Sequence, residues 1–363
     1  MCGIVGSTEN KVFRNDLHLI SKRGPDQKGL YHDKDISLGH TRLSIVDPKG
    51  DFSSQPAVSS SGILVYNGEI YNFPSLAREL SISTNSDTDF LLKCIEKIGV
   101  EKTISKINGM FAFCYYDKKK KKVWLVRDRL GQKPLFYSHN KKGLIFSSSI
   151  ELVKKVSSEE NFEIDESILG FYFSAFYIPA PYTIYKQVKS VSPGHYLVYD
   201  IPSGSLKEDS YWSIPRYKKE TEIEDFDSLF RDATLTRMMS DVPLGNFLSG
   251  GVDSSLVVQT MAESGIEKIQ TYTAEIQDSL NESEYADKVS RKFNTDHRSI
   301  KVDKSSFSSN LIKRLIKSFG QPFADSSIIP TYKVCQLISN HVTVAISGDG
   351  ADELFMGYDK YRK

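Results

Sequence analysis

Gly245-Asn246-Phe247-Leu248-Ser249-Gly250-Gly251-Val252-Asp253-Ser254-Ser255 reads as a short strand, a glycine-containing loop and the first turn of a helix. Loop glycines free backbone N–H groups to point inward, and a helix amino end adds positive potential. The Ser249, Ser254 and Ser255 hydroxyls add donors, so the stretch is an anion cradle. It is not a Walker A loop, because no Gly-Lys-Ser/Thr follows. A capped Ser/Asp surface loop is the plainer alternative. Outward from this loop, strand-like and helical patterns alternate. A helix is expected over 254–263, a strand over 269–276, a helix over 282–293 and a strand over 299–302. A helix over 331–339 and a buried strand over 341–346 follow, the latter ending at Ser347-Gly348. Such alternation argues for a parallel α/β sheet. The amphipathic stretch 226–239 leads into it.

The first half differs. Phe111-Ala112-Phe113-Cys114-Tyr115-Tyr116 and Val123-Trp124-Leu125-Val126 flank five consecutive lysines, 118–122. A basic run can be a nucleic-acid patch, but strands this close on both sides favour a solvated hairpin turn. Further short strands are expected at 134–137, 144–146 and 195–199, with a helix over 89–98. The polar, Pro- and Gly-containing stretch 200–221 separates the halves, giving expected domains 1–205 and 222–363.

The chain has 363 residues, which suggests two domains or three. Lys plus Arg number 47 against 46 Asp plus Glu, a net charge of +1. No bulk basic excess is available to neutralise phosphates, so no nucleic-acid partner is expected. No stretch approaches the ~20 apolar residues of a membrane helix, and no signal peptide is evident. The four cysteines, Cys2, Cys94, Cys114 and Cys335, show no paired spacing, and a reduced, cytoplasmic setting is expected.

Cys2 follows Met1 directly. Methionine removal would leave it with a free α-amino group, whose pKa near 8 leaves a useful neutral fraction at about pH 7. Nucleophile and general base would then reside on one residue; by position alone, an incidental cysteine is the commoner reading. Downstream lie Arg23-Gly24-Pro25-Asp26, His40-Thr41-Arg42-Leu43-Ser44-Ile45-Val46-Asp47 and Tyr66-Asn67-Gly68-Glu69-Ile70-Tyr71-Asn72. Ser86-Asp87-Thr88 and Arg127-Asp128-Arg129-Leu130-Gly131 come after. With Met1-Cys2-Gly3-Ile4-Val5-Gly6, these motifs resemble class II glutamine amidotransferases of the asparagine synthetase type, over about residues 2–198. The resemblance implies an α+β N-terminal-nucleophile sandwich (αββα).

It also implies roles. Arg42 suits the α-carboxylate of glutamine through a two-pronged guanidinium contact, and Asp87 suits the α-ammonium. Asn67 and the Gly68 N–H would form an oxyanion hole, with glycine letting the backbone approach the substrate. By itself, Asn67-Gly68 also fits a type I′ hairpin turn. Glu69 would contact the ammonium or organise its loop. Leu43, Ser44, Ile45 and Val46 complete the expected glutamine site, while Arg23 and Asp128 are expected in structural ion pairs.

The Leu248–Ser255 loop resembles the S-G-G-x-D-S loop of the ATP pyrophosphatases, which cut ATP between the α and β phosphates. The second half is therefore expected to be an α/β parallel-sheet ATP-pyrophosphatase-type domain, incomplete at the C-terminus. Asp253 among phosphates needs a cation, so it is read as a Mg²⁺ ligand. Ser347-Gly348-Asp349-Gly350-Ala351-Asp352-Glu353 lies at the carboxyl end of a strand, where open α/β sheets bind ligands; a Gly/Asp surface loop is the other reading. By resemblance, Leu248, Ser249, Gly250, Gly251, Asp253, Ser254, Ala274, Ser347 and Gly348 hold ATP. Asp352 is the second Mg²⁺ ligand, and Asp349 supports acyl-adenylate formation. Met356 stands where that family usually has glycine. Family members continue through a mostly helical region carrying an adenylate-stabilising lysine, for which no residue here can be assigned.

The implied reaction couples two halves. Cys2 releases ammonia from glutamine; the second half joins ATP to a carboxylate, and ammonia, kept neutral along the family's internal tunnel, displaces AMP. Aspartate giving asparagine is the first expectation for the acceptor. Alternatives are a sugar uronic acid or other carboxylate in surface polysaccharide synthesis, and a fragment with glutaminase activity alone. A β-lactam synthetase is disfavoured because that branch lacks the nucleophilic cysteine. A homodimer is left open.

Overall fold

The computed structural model describes residues 1–9, 11–50, 53–158, 161–215, 226–266, 268–276, 283–302, 308–325, 327–358 and 361. It divides into two units, Met1–Tyr217 with Lys313–Ala324, and Lys218–Ile312 with Asp325–Lys363. Asn281 and Glu282, and residues 216–221 of the expected linker, lie outside the described residues.

The first unit is built from β1 (Gly3–Ser7), β2 (Gln27–His32), β3 (Ser37–Arg42), β4 (Ala57–Val58) and β5 (Gly62–Ile70). Helices α1 (Phe73–Glu79), α2 (Asp87–Ile98) and α3 (Val100–Lys106) follow. Then come β6 (Gly109–Asp117), β7 (Lys122–Arg127), β8 (Phe136–Asn140), β9 (Gly143–Ser147), α4 (Ile150–Val156), α5 (Glu166–Ala175), β10 (Lys189–Ser190), β11 (His195–Asp200) and β12 (Ser205–Ser210). They form two antiparallel six-stranded sheets, ordered β10-β8-β9-β1-β3-β2 and β12-β11-β7-β6-β5-β4.

Side-chain alternation explains the layering. Ile4, Leu38, Ile63, Val65, Ala112, Cys114, Val123 and Leu125 meet in the core between the sheets. Val5 and Ile145 point the other way and pack with Leu17, Ile20, Ile150 and Val153, so the short helix Asp16–Ile20 and α4 cover that face. On the opposite side α2 buries Phe90, Leu91, Cys94 and Ile95. Helices thus flank two sheets whose central strands are apolar on both faces, the αββα arrangement expected.

The lysine run is a hairpin turn between β6 and β7, with Asp117 paired to Lys122. Strand β8 begins at Phe136 rather than at 134, in keeping with a proline's lack of an N–H to donate. Strand β12 carries the second sheet to Ser210, past residue 205. The turn alternative for Asn67-Gly68 is set aside: both residues lie within β5, opposite Ala112 and Phe111 of β6.

The second unit contains α6 (Phe226–Thr236), β13 (Leu244–Phe247), α7 (Val252–Glu263), β14 (Gln270–Ile276), α8 (Ser283–Phe293), β15 (Asp296–Val302), α10 (Ile328–Ile338), β16 (Val344–Ile346) and α11 (Ala351–Phe355). Before α10, α9 (Ser309–Phe319) has its residues from 313 onward in the first unit. The sheet is parallel, ordered β15-β14-β13-β16. Its faces pack against α7 and α8 through Val258 and Ala286, and against α10 through Val334 and Ile338. The chain runs outward from β13 to β15, then returns to place β16 on the other side of β13. That reversal makes a crevice at the carboxyl ends of β13 and β16. The expected buried strand over 341–346 is shorter and only half-buried, because β16 is an edge strand with one neighbour.

Candidate functional sites

A pocket of about 520 Å³ opens in the first unit. Its wall contains Met1, Cys2, Arg42, Leu43, Ile45, Val46, Asn67, Gly68, Glu69 and Asp87. Eight of the nine expected glutamine-site residues therefore meet there, together with Cys2. The ninth, Ser44, is not on that wall; its N–H donates to Asp26 Oδ2, before β2, at 2.7 Å.

Cys2 leads into β1, a central strand flanked by β3 and β9. Its Sγ accepts from the Leu43 N–H at 3.4 Å. Burial pushes the thiol pKa up, and the Leu43 hydrogen bond pulls against it. The Met1 amine is lowered to about 6, mainly by burial, with Lys133 and Arg23 pushing the same way. Arg42 ends β3 and braces the following loop, Nη2 donating to the Val46 and Asp47 carbonyls at 3.1 and 2.8 Å and Nη1 to Gln27 Oε1 at 3.2 Å.

Asn67 is 0% exposed, yet among the described residues neither its amide nitrogen nor its amide oxygen has a hydrogen-bond partner. A buried amide without partners costs on the order of 1–3 kcal/mol, and this one lines the pocket. Gly68 has a reason beyond room for a substrate. A Cβ there would lie 2.1 Å from the Met110 carbonyl oxygen and 2.7 Å from Phe111 Cα. Gly68→Ala is thus expected to force β5 from β6 and to cost about 3 kcal/mol, the upper end for overpacking. A urea midpoint equal to the wild type would refute this.

Asp87 sits in the first turn of α2, where Ser86 caps the helix by accepting from the Asp89 N–H at 3.2 Å. Its Oδ2 accepts from Tyr66 Oη at 2.8 Å and from the Ile70 N–H at 3.3 Å. Burial raises its pKa and these donors oppose the rise. Glu69 is pushed up to about 7, by burial first and by the neighbouring Asp87 second.

Arg23 and Asp128 do not make the expected ion pairs. Arg23 Nε donates to the Cys2 carbonyl at 3.1 Å. The Asp128 carboxylate collects N–H groups from Phe111, Leu130, Gln132 and Lys133 at 2.9–3.2 Å, so it organises a loop. Sequence reasoning missed Tyr66, Gln55 and Lys133, which also line the pocket. Tyr66, beside Asn67 in the motif, was the one with a local signal.

The second unit brings the two loops of its crevice together. A Cβ on Gly348 would lie 3.0 Å from Asp253 Cβ and 3.1 Å from the Ser254 N. Gly250 has φ +84°, and a side chain there would strike Tyr285 Cβ and the Ala286 N at 2.5 Å; close packing on α8 as well as backbone conformation requires glycine. Ser249 Oγ lies 3.1 Å from Ser254 Oγ, and Ser255 Oγ donates to the Gly251 carbonyl at 2.7 Å. Ser347 Oγ accepts from the Asp349 N–H at 3.4 Å, and the Asp352 carbonyl from the Gly357 N–H at 3.0 Å.

Leu248, just after β13, and Ala274, within β14, come from neighbouring strands, where the Leu248 N–H donates to the Tyr272 carbonyl at 2.9 Å, but their side chains belong to different clusters. Leu248 is buried with Val258 and Ala286, whereas Ala274 packs towards Tyr272 and Val334 in a separate cluster. Among the described residues, no group of three or more His, Cys, Asp or Glu side chains is placed to hold a metal ion. Met356 closes α11 at φ 57°, a left-handed conformation that glycine adopts freely and methionine at a cost.

Comparison with known proteins matches residues 1–212 to the glutamine amidotransferase domain family and residues 225–363 to the asparagine synthase family. A Methanocaldococcus jannaschii protein named as glutamine-hydrolyzing asparagine synthetase 2 is 35% identical over 393 residues, covering 99% of this chain and 76% of its own length. Glutamine-hydrolyzing asparagine synthetase 1 of Bacillus subtilis is 32% identical over 383 residues, covering 100% of this chain. The chain spans 60% of that protein's length. Among solved structures, glutamine phosphoribosylpyrophosphate amidotransferase of B. subtilis aligns with 90% of this chain and 94% of its own, at a TM-score of 0.46 and 14% identity.

Proposed function

This chain belongs to the glutamine amidotransferase and asparagine synthase families, and on that premise we propose that it takes nitrogen from glutamine at Cys2 and delivers it to an ATP-activated carboxylate, with aspartate as the acceptor and asparagine as the product. The observation that carries the first half is the fully buried Asn67 amide, unpartnered and on one pocket wall with Cys2. It is an oxyanion donor waiting for its acceptor.

Removal of Met1 would free the Cys2 α-amino group to take the thiol proton. Sγ then attacks the glutamine amide carbon, and the oxyanion is received by the Asn67 Nδ2 and the Gly68 N–H. The amine returns the proton to the departing ammonia, leaving a γ-glutamyl thioester that water hydrolyses to glutamate. Arg42 holds the substrate carboxylate, while Asp87 and Glu69 hold its ammonium.

In the second unit, the Ser249–Ser255 loop would hold the departing pyrophosphate, with Ser347, Gly348 and Asp349 at the nucleotide. Asp253 and Asp352 would hold Mg²⁺. Two carboxylates without a full protein cage fit an ion that keeps waters and phosphate oxygens as its other ligands, and it would neutralise phosphate charge. The aspartate reading is supported by the names of the relatives. Incubation of the chain with glutamine, Mg·ATP and aspartate should yield glutamate, asparagine, AMP and pyrophosphate. Glutamate without AMP would restrict the activity to the first unit, and AMP without asparagine would point to another carboxylate.

A further inference from the structure

Of the four charged side chains on the first pocket's wall, Arg42, Glu69, Asp87 and Lys133, Lys133 has no part in the chemistry above. Its place is built into the fold. The Asp128 carboxylate fixes the loop after β7 and accepts from the Lys133 N–H at 2.9 Å, while the Lys133 carbonyl accepts from Arg127 Nε at 2.8 Å. With both backbone groups pinned and Pro134 next in the chain, the side chain is directed inward and is 5% exposed. Its Nζ lies 3.2 Å from Met1 Sδ. A thioether is a weak acceptor and cannot compensate a buried ammonium. Loss of Met1 would remove even that contact. Burial lowers the Lys133 pKa, and of the carboxylates around it Glu69, on the same pocket wall, opposes that most.

Glu69 needs such a neighbour. It shares the wall with Asp87, and two close carboxylates disfavour each other's ionised form. Asp87 has the Tyr66 hydroxyl and the Ile70 N–H to support its charge, whereas the groups favouring the charge on Glu69 are Lys133 and the N-terminal amine. We propose that Lys133 is a positioning residue of the glutamine site: its buried ammonium on the same pocket wall favours the Glu69 carboxylate, so that more of the enzyme offers two anionic groups to the substrate's α-ammonium. This rests on the glutaminase reading above.

The groups acting on Glu69 are Asp87 on α2, Lys133 on the loop after β7 and the N-terminal amine before β1. Cys2, Arg42 and Tyr66 stand on the remaining wall. Burial and Asp87 hold the Glu69 pKa at about 7 even with Lys133 and the N-terminal amine lowering it. Removing Lys133 therefore raises it further, so that at neutral pH less of Glu69 is charged and glutamine binds less well. Raising the pH restores the carboxylate and the binding.

The test follows glutamate release against pH by the full chain, with Met1 removal verified by mass. In Lys133→Met, KM for glutamine should rise about tenfold near pH 6.5, the size of a one-unit shift, and converge on the wild type by about pH 8.5. Its kcat should be little changed, and Lys133→Arg should restore the wild-type profile. In a Glu69→Gln background, Lys133→Met should add nothing. A Lys133→Met profile parallel to the wild type, or a loss confined to kcat, would overturn the inference. If that variant fails to fold, Lys133→Gln is measured in its place under the same criteria. An inactive wild type overturns the glutaminase reading itself; an active wild type with a superimposable variant overturns only the role of Lys133.

Discussion

Cys2→Ala is expected to abolish glutamate release, by at least about 10⁴-fold for a reaction that proceeds through a covalent intermediate, while amidation fed by free ammonia continues at its wild-type rate. The division follows from the structure's two units. The thiol is in the first, on a pocket wall with the Asn67 amide and Arg42, and the paired crevice loops are in the second. Replacing Sγ by hydrogen removes two long contacts with the Leu43 backbone, to its N–H and its carbonyl, each about 1 kcal/mol at most, so unfolding would not explain the loss. An unprocessed chain should behave like the alanine variant, because the Cys2 nitrogen is then an amide and cannot take a proton. In the processed enzyme, activity should rise with pH as the amine loses its proton. That limb should lie below the free-amine value near 8 if the amine inherits the burial and the cationic neighbours that lower the Met1 amine to about 6. Loss of ammonia-dependent amidation along with glutaminase would sink the division of labour.

What could be read from the sequence was local. The β6–β7 hairpin follows from two apolar runs around a lysine tip, and the parallel sheet from strand–helix alternation. Cys2, Arg42, Asn67 and Asp87 came from short motifs, and the fold draws them onto one wall. What escaped was decided by contacts between distant segments. Lys133 carries no local signal, because nothing nearby in the sequence reveals that the chain's first residue lies 3.2 Å from it. Asn67-Gly68 has the signature of a turn, yet the glycine is required by the Met110 carbonyl of the neighbouring strand. Leu248 follows β13 and Ala274 lies within the adjacent β14, and their side chains pack in separate clusters, a distinction that a linear pattern does not carry.

Asp253→Ala is expected to remove pyrophosphate release, by roughly 10³-fold or more given the several kcal/mol that a metal ion contributes to a phosphoryl transition state, and to leave glutaminase intact. The sign of the effect is what makes the substitution informative. Asp253 lies in the first turn of α7, next to a loop whose glycines and serines suit an anion. A carboxylate there favours the helix by only about 0.3–1 kcal/mol, so its loss leaves the unit folded. Toward ATP alone, a nearby negative charge is repulsive, and its removal would strengthen nucleotide binding. Toward ATP with a cation held by Asp253 and Asp352, the same removal withdraws a ligand and stops the reaction. Measuring AMP and pyrophosphate against Mg²⁺ concentration separates the two. The variant should need far more Mg²⁺ for any residual turnover, with glutamate release unchanged. Retained or enhanced ATP cleavage at ordinary Mg²⁺ would show that Asp253 caps α7 and does not face the phosphates.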